Sequence, residues 1–172
     1  MLRRYAAVAA MLAALAVLAA CSPRYNWREA PVAAGAVVAA FPDKPETHRR
    51  VLPYEDGKVE FFLTTARVDD TVFAVGYAPW PDALRDDAAA QAAFGRAVLS
   101  SLYRNLDVAP PAQLPEFGQR FAISGRSPKG AARMEARLWL LPDGLVEGLV
   151  TAAASSYPQH EADEFFRALA RR

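Results

Sequence analysis

The stretch ARMEARLWLLPDGLVEGLVTAAASS, residues 132–156, decides the fold. In its first arm Met134, Ala136, Leu138 and Leu140 alternate with Arg133, Glu135, Arg137 and Trp139. That period of two sends one row of side chains to each face of a β-strand. Pro142, Asp143 and Gly144 make a tight turn, since Pro presets φ and Gly tolerates backbone conformations that other residues avoid. LVEGLVTAAASS then returns as the second arm. Two strands joined so closely run antiparallel, whereas parallel strands need a crossover of a dozen residues or more.

Working outward, QRFAISGR (119–126) reads as a weaker strand and SPKG (127–130) as the turn that feeds the hairpin. Further upstream, KVEFFLTTARV (58–68) and TVFAVGYAPW (71–80) are rich in β-branched and aromatic residues. Asp69-Asp70 separates them, which predicts a second hairpin ended by Pro79 and Pro81. AVVAAF (36–41) predicts a buried strand stopped by Pro42 and Pro45, and DKPETHRR (43–50) a polar loop. Between the hairpins, Leu84, Ala88, Gln91-Ala92, Gly95, Val98-Leu99, Leu102 and Leu106 recur at helical spacing, with Asp82 as the expected N-cap. Arg85, Asp86, Asp87 and Arg96 form the opposite, wet face, and residues 107–115, with Pro110-Pro111, a linker. In PQHEADEFFRALARR (158–172) the residues Ala162, Phe165, Phe166 and Leu169 predict a second helix with one apolar stripe. No internal period of 20 to 50 residues is visible, which removes solenoids and propellers.

The expected fold class is therefore α+β: a mainly antiparallel sheet of hairpins, flanked by one long middle helix and a C-terminal helix. The pattern from AFPDKP (40–45) to EFFRAL (164–169) resembles small uncharacterised proteobacterial lipoproteins and, more remotely, the PsbP/Mog1-type α/β/α sandwich. That resemblance implies a binding or assembly module more than an enzyme.

The N-terminus carries a different message. Residues 1–20 have the form of an export signal, with Arg3-Arg4, an apolar stretch from Tyr5 to about Leu18, and small residues after it. Leu18-Ala19-Ala20-Cys21 resembles the lipobox of bacterial lipoproteins, and Cys21 is the only cysteine in the chain. The resemblance implies cleavage before Cys21, S-diacylglycerol on its sulfur and N-acylation of the new amino group. A thiolate is nucleophilic enough for that thioether, and several chains anchor a protein where one holds it only marginally. Ser22 in place of Asp implies, by the sorting rule of enterobacterial lipoproteins, the periplasmic face of the outer membrane rather than the inner. Residues 21–30 are then a lipidated tether, with Tyr25 and Trp27 either at the membrane interface or packed on the domain, and residues 31–172 a single domain.

At 172 residues, 53% hydrophobic and 23% charged, the chain has room for one domain with a core. Without residues 1–20 its 20 basic residues fall to 18 against 19 acidic ones, a net charge of −1. Nucleic acid is not an expected partner, because phosphate neutralisation needs a basic face and Arg49-Arg50 and Arg171-Arg172 are only doublets. His48 and His160 share no local motif, so no metal is expected, and no cofactor other than the covalent lipid. G-x-S-x-G, S-x-x-K and the phosphate-binding glycine motifs are absent. The acidic doublets Asp69-Asp70 and Asp86-Asp87 read as surface charge, and Ser100-Ser101 and Ser155-Ser156 as helix and turn hydroxyls.

Arg126 and Lys129 lie within SGRSPKG (124–130), where a basic loop would suit an anionic headgroup. Trp139 shares its strand face with Arg133, Glu135 and Arg137. It is core if helices cover both faces of the sheet, and a protein interface if that face is open. The leading expectation is a lipid-anchored, non-enzymatic envelope module that binds another envelope protein. A carrier with a pocket between sheet and helix for an apolar ligand is the second, and an envelope enzyme whose residues converge only in the fold the third.

Overall fold

A computed structural model describes residues 24–54 and 57–171. Six strands make the main sheet: β3 (Glu46–Tyr54), β4 (Gly57–Val68), β5 (Thr71–Pro79), β6 (Arg120–Ser127), β7 (Gly130–Leu141) and β8 (Gly144–Ala153). Their order is β3-β4-β5-β8-β7-β6 and every neighbouring pair is antiparallel. The expected α+β class, mainly antiparallel and with two helices, is what the chain forms. Two three-stranded meanders, each followed by a helix, meet along the β5–β8 ladder from Val72–Thr151 to Pro79–Gly144. A second, small sheet has the order β1-β2-β9, from Arg28–Val32, Val37–Phe41 and Ala170–Arg171.

The helices take opposite faces. Helix α1 (Ala88–Arg104) lays Phe94, Leu99 and Leu102 on the row Met134, Ala136, Leu138 of β7 and on Leu145 of β8. Helix α2 (Gln159–Ala168) lays Ala162, Phe165 and Phe166 on the other face, with Phe73, Val75, Val146 and Val150 and the residues Val37, Ala39 and Phe41 of the small sheet. Phe165 meets Phe41 and Phe73 edge-on at 5.9 and 5.6 Å, the favoured geometry of aromatic pairs.

Because both faces are covered, Trp139 is core, 6% exposed and packed within the α2-side cluster. That corrects its reading as a possible interface residue. DKPETHRR is also not a loop throughout, since Glu46 onward belongs to β3. This edge strand is exposed on both faces over residues 46–53, so its polar sequence conceals its conformation. The helix start differs too. Asp82 opens a short 3-10 turn, Asp82–Leu84, and α1 begins only after Asp87, whose side chain accepts from the Ala89 and Ala90 amides at 2.9 Å each.

Part of the expected tether is folded. The Asn26 amide donates to the Pro42 carbonyl at 2.7 Å, β1 starts at Arg28, and Tyr25 and Trp27 meet the Phe73 ring edge-on. Leu18, Ala19, Ala20 and Cys21 lie outside the described residues. Among those described, no helix is long and apolar enough to cross a membrane.

Candidate functional site

Strand β8 alternates in the same way as β7, so Leu145, Glu147 and Leu149 point toward α1 while Val146 and Val150 point toward α2. Glu147 thus stands in an apolar row. It is 4% exposed, and its Oε2 is buried with no hydrogen-bond partner among the described residues. Burial alone pushes its carboxyl from 4.5 up to about 7. The partner of Glu147 across the β5–β8 ladder is Gly76, and glycine is needed there. A Cβ on Gly76 would lie 2.5 Å from Phe61 Cζ and 2.7 Å from Glu147 Cγ, so the ring and the carboxyl share the space that the missing side chain leaves.

Glu147 borders a cavity of about 490 Å³. Helix α1 sits over β7 and β8 and leaves the β3–β4 end of its sheet face partly uncovered. The cavity fills that wedge. Leu52 and Tyr54 of β3, Val59, Phe61 and Leu63 of β4, and Leu149 of β8 line the sheet side. Phe94, Val98, Ser101 and Leu102 line the helix side, with Asn105 just beyond it and Arg50 on β3. Arg50 and Leu52 are exposed and mark the mouth, whereas Glu147 and Val59 are buried. The Tyr54 and Phe94 rings meet edge-on at 4.8 Å. A mainly apolar wall with a few polar groups converging on it is the usual form of a small-ligand site.

The second buried carboxylate shows what a fully paired one looks like. Glu135 lies on β7 toward α2, where Arg120 Nε donates to it at 2.7 Å and Arg133 at 2.7 Å. Arg120 also reaches Asp163 of α2 at 2.7 Å and lies over the Phe166 ring, which fastens the helix to the sheet. Burial pushes Glu135 up, but the hydrogen bonds from Arg133 and Arg120 outweigh it and hold the carboxyl below its ordinary range. Arg133 lies 5.0 Å over the Tyr157 ring and Arg137 4.8 Å over that of Trp139, so the arginines of this strand face form internal contacts.

The other residues singled out from the sequence are spread over the surface. Lys129 is bound to Asp70 at 2.9 Å, and Asp69 to Arg24. Arg126 pairs with Ala131 at one end of β7, and Trp139 lies eight residues further along, about 26 Å at strand spacing. The structure does not bring Arg126 and Lys129 together with Trp139. His48 is exposed on β3 of the main sheet and His160 is exposed on α2. No group of three or more His, Cys, Asp or Glu able to hold a metal occurs among the described residues. Glu147 was missed by reading LVEGLVTAAASS only as a returning arm. Its place in the apolar row between Leu145 and Leu149 was the available signal.

Compared with known proteins, the chain matches no protein-family model, no curated protein and no solved structure.

Proposed function

We propose that this chain is a lipid-anchored envelope protein of binding type, and that it takes a small, largely apolar ligand in the cavity between α1 and the β3–β4 end of the sheet. The observation that carries the reading is the Glu147 carboxyl at the cavity, whose Oε2 has no hydrogen-bond partner among the described residues. A buried polar group without a partner opposes folding, and native proteins keep few of them. A ligand that completes the hydrogen bonds of Glu147 accounts for both the carboxyl and the space beside it. The anchor in this proposal is the lipid on Cys21, and its location is the periplasmic face of the outer membrane.

Native mass spectrometry of the full chain purified from its own envelope tests the reading. The expected result is a stoichiometric small molecule that is lost in Val98→Trp, where an indole fills the cavity, with the circular dichroism spectrum kept. Ligand-free protein, or a bound molecule unaffected by Val98→Trp, overturns it.

A second reading, assembly with an envelope protein, draws on β3. Among the described residues this nine-residue edge strand pairs with β4 alone, and it exposes Val51 by 52% and Leu52 by 44%. An extended partner segment can add to such an edge through main-chain hydrogen bonds. Cross-linking from position 51 in cells, giving one envelope protein as a defined adduct, would favour this reading over the first.

A further inference from the structure

We propose that the ligand of this cavity is an apolar organic amine whose ammonium group is received by the Glu147 carboxylate beside the aromatic rings of Phe61, Phe94 and Tyr54. The inference rests on the reading of the cavity given above and names the chemistry that the cavity selects.

Three features carry it. The first is the free acceptor, Glu147 Oε2, for which an ammonium supplies both the donor and the compensating charge in one group. An alcohol supplies a donor without the charge, and above about pH 7 an anion would meet an ionised carboxylate in a medium of low dielectric. The second is the aromatic wall. Phe61 shares the space over Gly76 with the carboxyl, and Phe94 and Tyr54 line the same cavity; the negative faces of such rings attract cations. The third is the apolar remainder of the lining, including Leu63, Val98 and Leu149, which suits a hydrocarbon body.

The charged groups around the cavity permit this assignment. Among the described residues lining it, Arg50 is the one cationic group. It lies exposed at the mouth, where water and salt screen it. Helix α1 and its end contribute the neutral Ser101 and Asn105, and β3 adds the Tyr54 hydroxyl. Strands β4 and β5 face Glu147 with Phe61 and Gly76, and β7 pairs Leu138 with it, so none of the three presents a charge.

The proton balance gives a signature. With the cavity empty, the Glu147 carboxyl holds a proton up to about pH 7. A ligand arriving as an ammonium ion needs the carboxylate, so that proton leaves to the buffer while the ligand keeps all of its own. No covalent bond of the ligand changes.

The test is titration calorimetry on the full chain produced without export, so that Cys21 stays unmodified. Straight-chain primary amines from hexyl to decyl are compared with the matching alcohols. The expected result is that the best amine binds at least about tenfold more tightly than its alcohol near neutral pH. Glu147→Gln should remove that preference while alcohol binding persists. Near pH 6, amine binding should release close to one proton, read from the dependence of the heat on the buffer's ionisation enthalpy. Equal affinities for amine and alcohol, a preference that survives Glu147→Gln, or no proton release would overturn the amine assignment. Alcohol binding blocked by Val98→Trp would still uphold the cavity reading. Failure of both series to bind would overturn the cavity reading and the amine assignment together.

Discussion

Glu147→Gln swaps a buried carboxyl for a group of nearly the same shape that does not ionise, and it should stabilise the protein more as pH rises. Burial holds the native carboxyl at about 7 against 4.5 ordinarily. At low pH both the native and the unfolded chain keep the proton, and the residue adds no pH dependence. Between these two values the unfolded chain has released its proton while the native chain has not, so each step up in pH favours unfolding. Above about 7 both states are ionised and the penalty levels off. A pKa difference of this size is worth about 3 kcal/mol, at 1.36 kcal/mol per unit, which is a substantial part of the 5 to 15 kcal/mol typical of a whole domain.

Urea unfolding of both proteins from about pH 4 to 8, followed by the fluorescence of the buried Trp80 and Trp139, gives the required difference. Subtracting the two curves cancels the groups they share, Glu135 among them, whose depressed carboxyl works in the opposite direction and loses stability as pH falls. The subtracted curve should rise by about 3 kcal/mol and finish near pH 7. A flat difference, or a rise complete by about pH 5, would show a Glu147 carboxyl that is hydrated or paired, and the argument from its burial would fail.

Phe165 is fully buried where two layers meet, between Phe41 and Phe73, so Phe165→Ala should destabilise the chain by about 3 to 5 kcal/mol and lower its urea midpoint without changing the slope. Asp87→Ala removes the acceptor for two amides at the start of α1, and a loss of about 1 kcal/mol in the same assay is expected, whereas Asp82→Ala should lie within about 0.5 kcal/mol of the parent. Cys21→Ser should leave an unprocessed or mislocalised precursor on fractionation and immunoblotting; normal processing with continued anchoring would remove the lipoprotein reading.

The hairpins and both helices were legible because each carries its own period: two for Met134 to Leu140, near 3.6 for Ala162 to Leu169. Strand β3 was not, because it is exposed on both faces almost throughout, so no buried row impresses a pattern on Glu46–Tyr54. Asp82 was the expected cap of α1 and Asp87 part of its wet face, but the chain makes a short 3-10 turn at Asp82 and leaves the cap to Asp87. The site was harder to find. Glu147 and Glu135 look alike as lone acids in strands, and what distinguishes them is which layer each faces. Glu135 meets arginines from its own and the neighbouring strand, whereas Glu147 meets glycine, phenylalanine and space. Arg50 and Asn105 reach the same cavity from elements 55 residues apart, a convergence no local pattern records.

The β5–β8 ladder has a kinetic meaning as well as an architectural one. Every other ladder of the main sheet joins strands that follow one another in the chain, so each meander can assemble from local contacts on its own. Pro79 and Gly144 are 65 positions apart, and bringing them together closes a long loop whose entropy has to be paid before any contact rewards it. That seam is the long-range closure that makes one sheet of the two meanders. Gly76 and Glu147 sit opposite each other on it, so the cavity's carboxyl reaches its place only when the halves have docked.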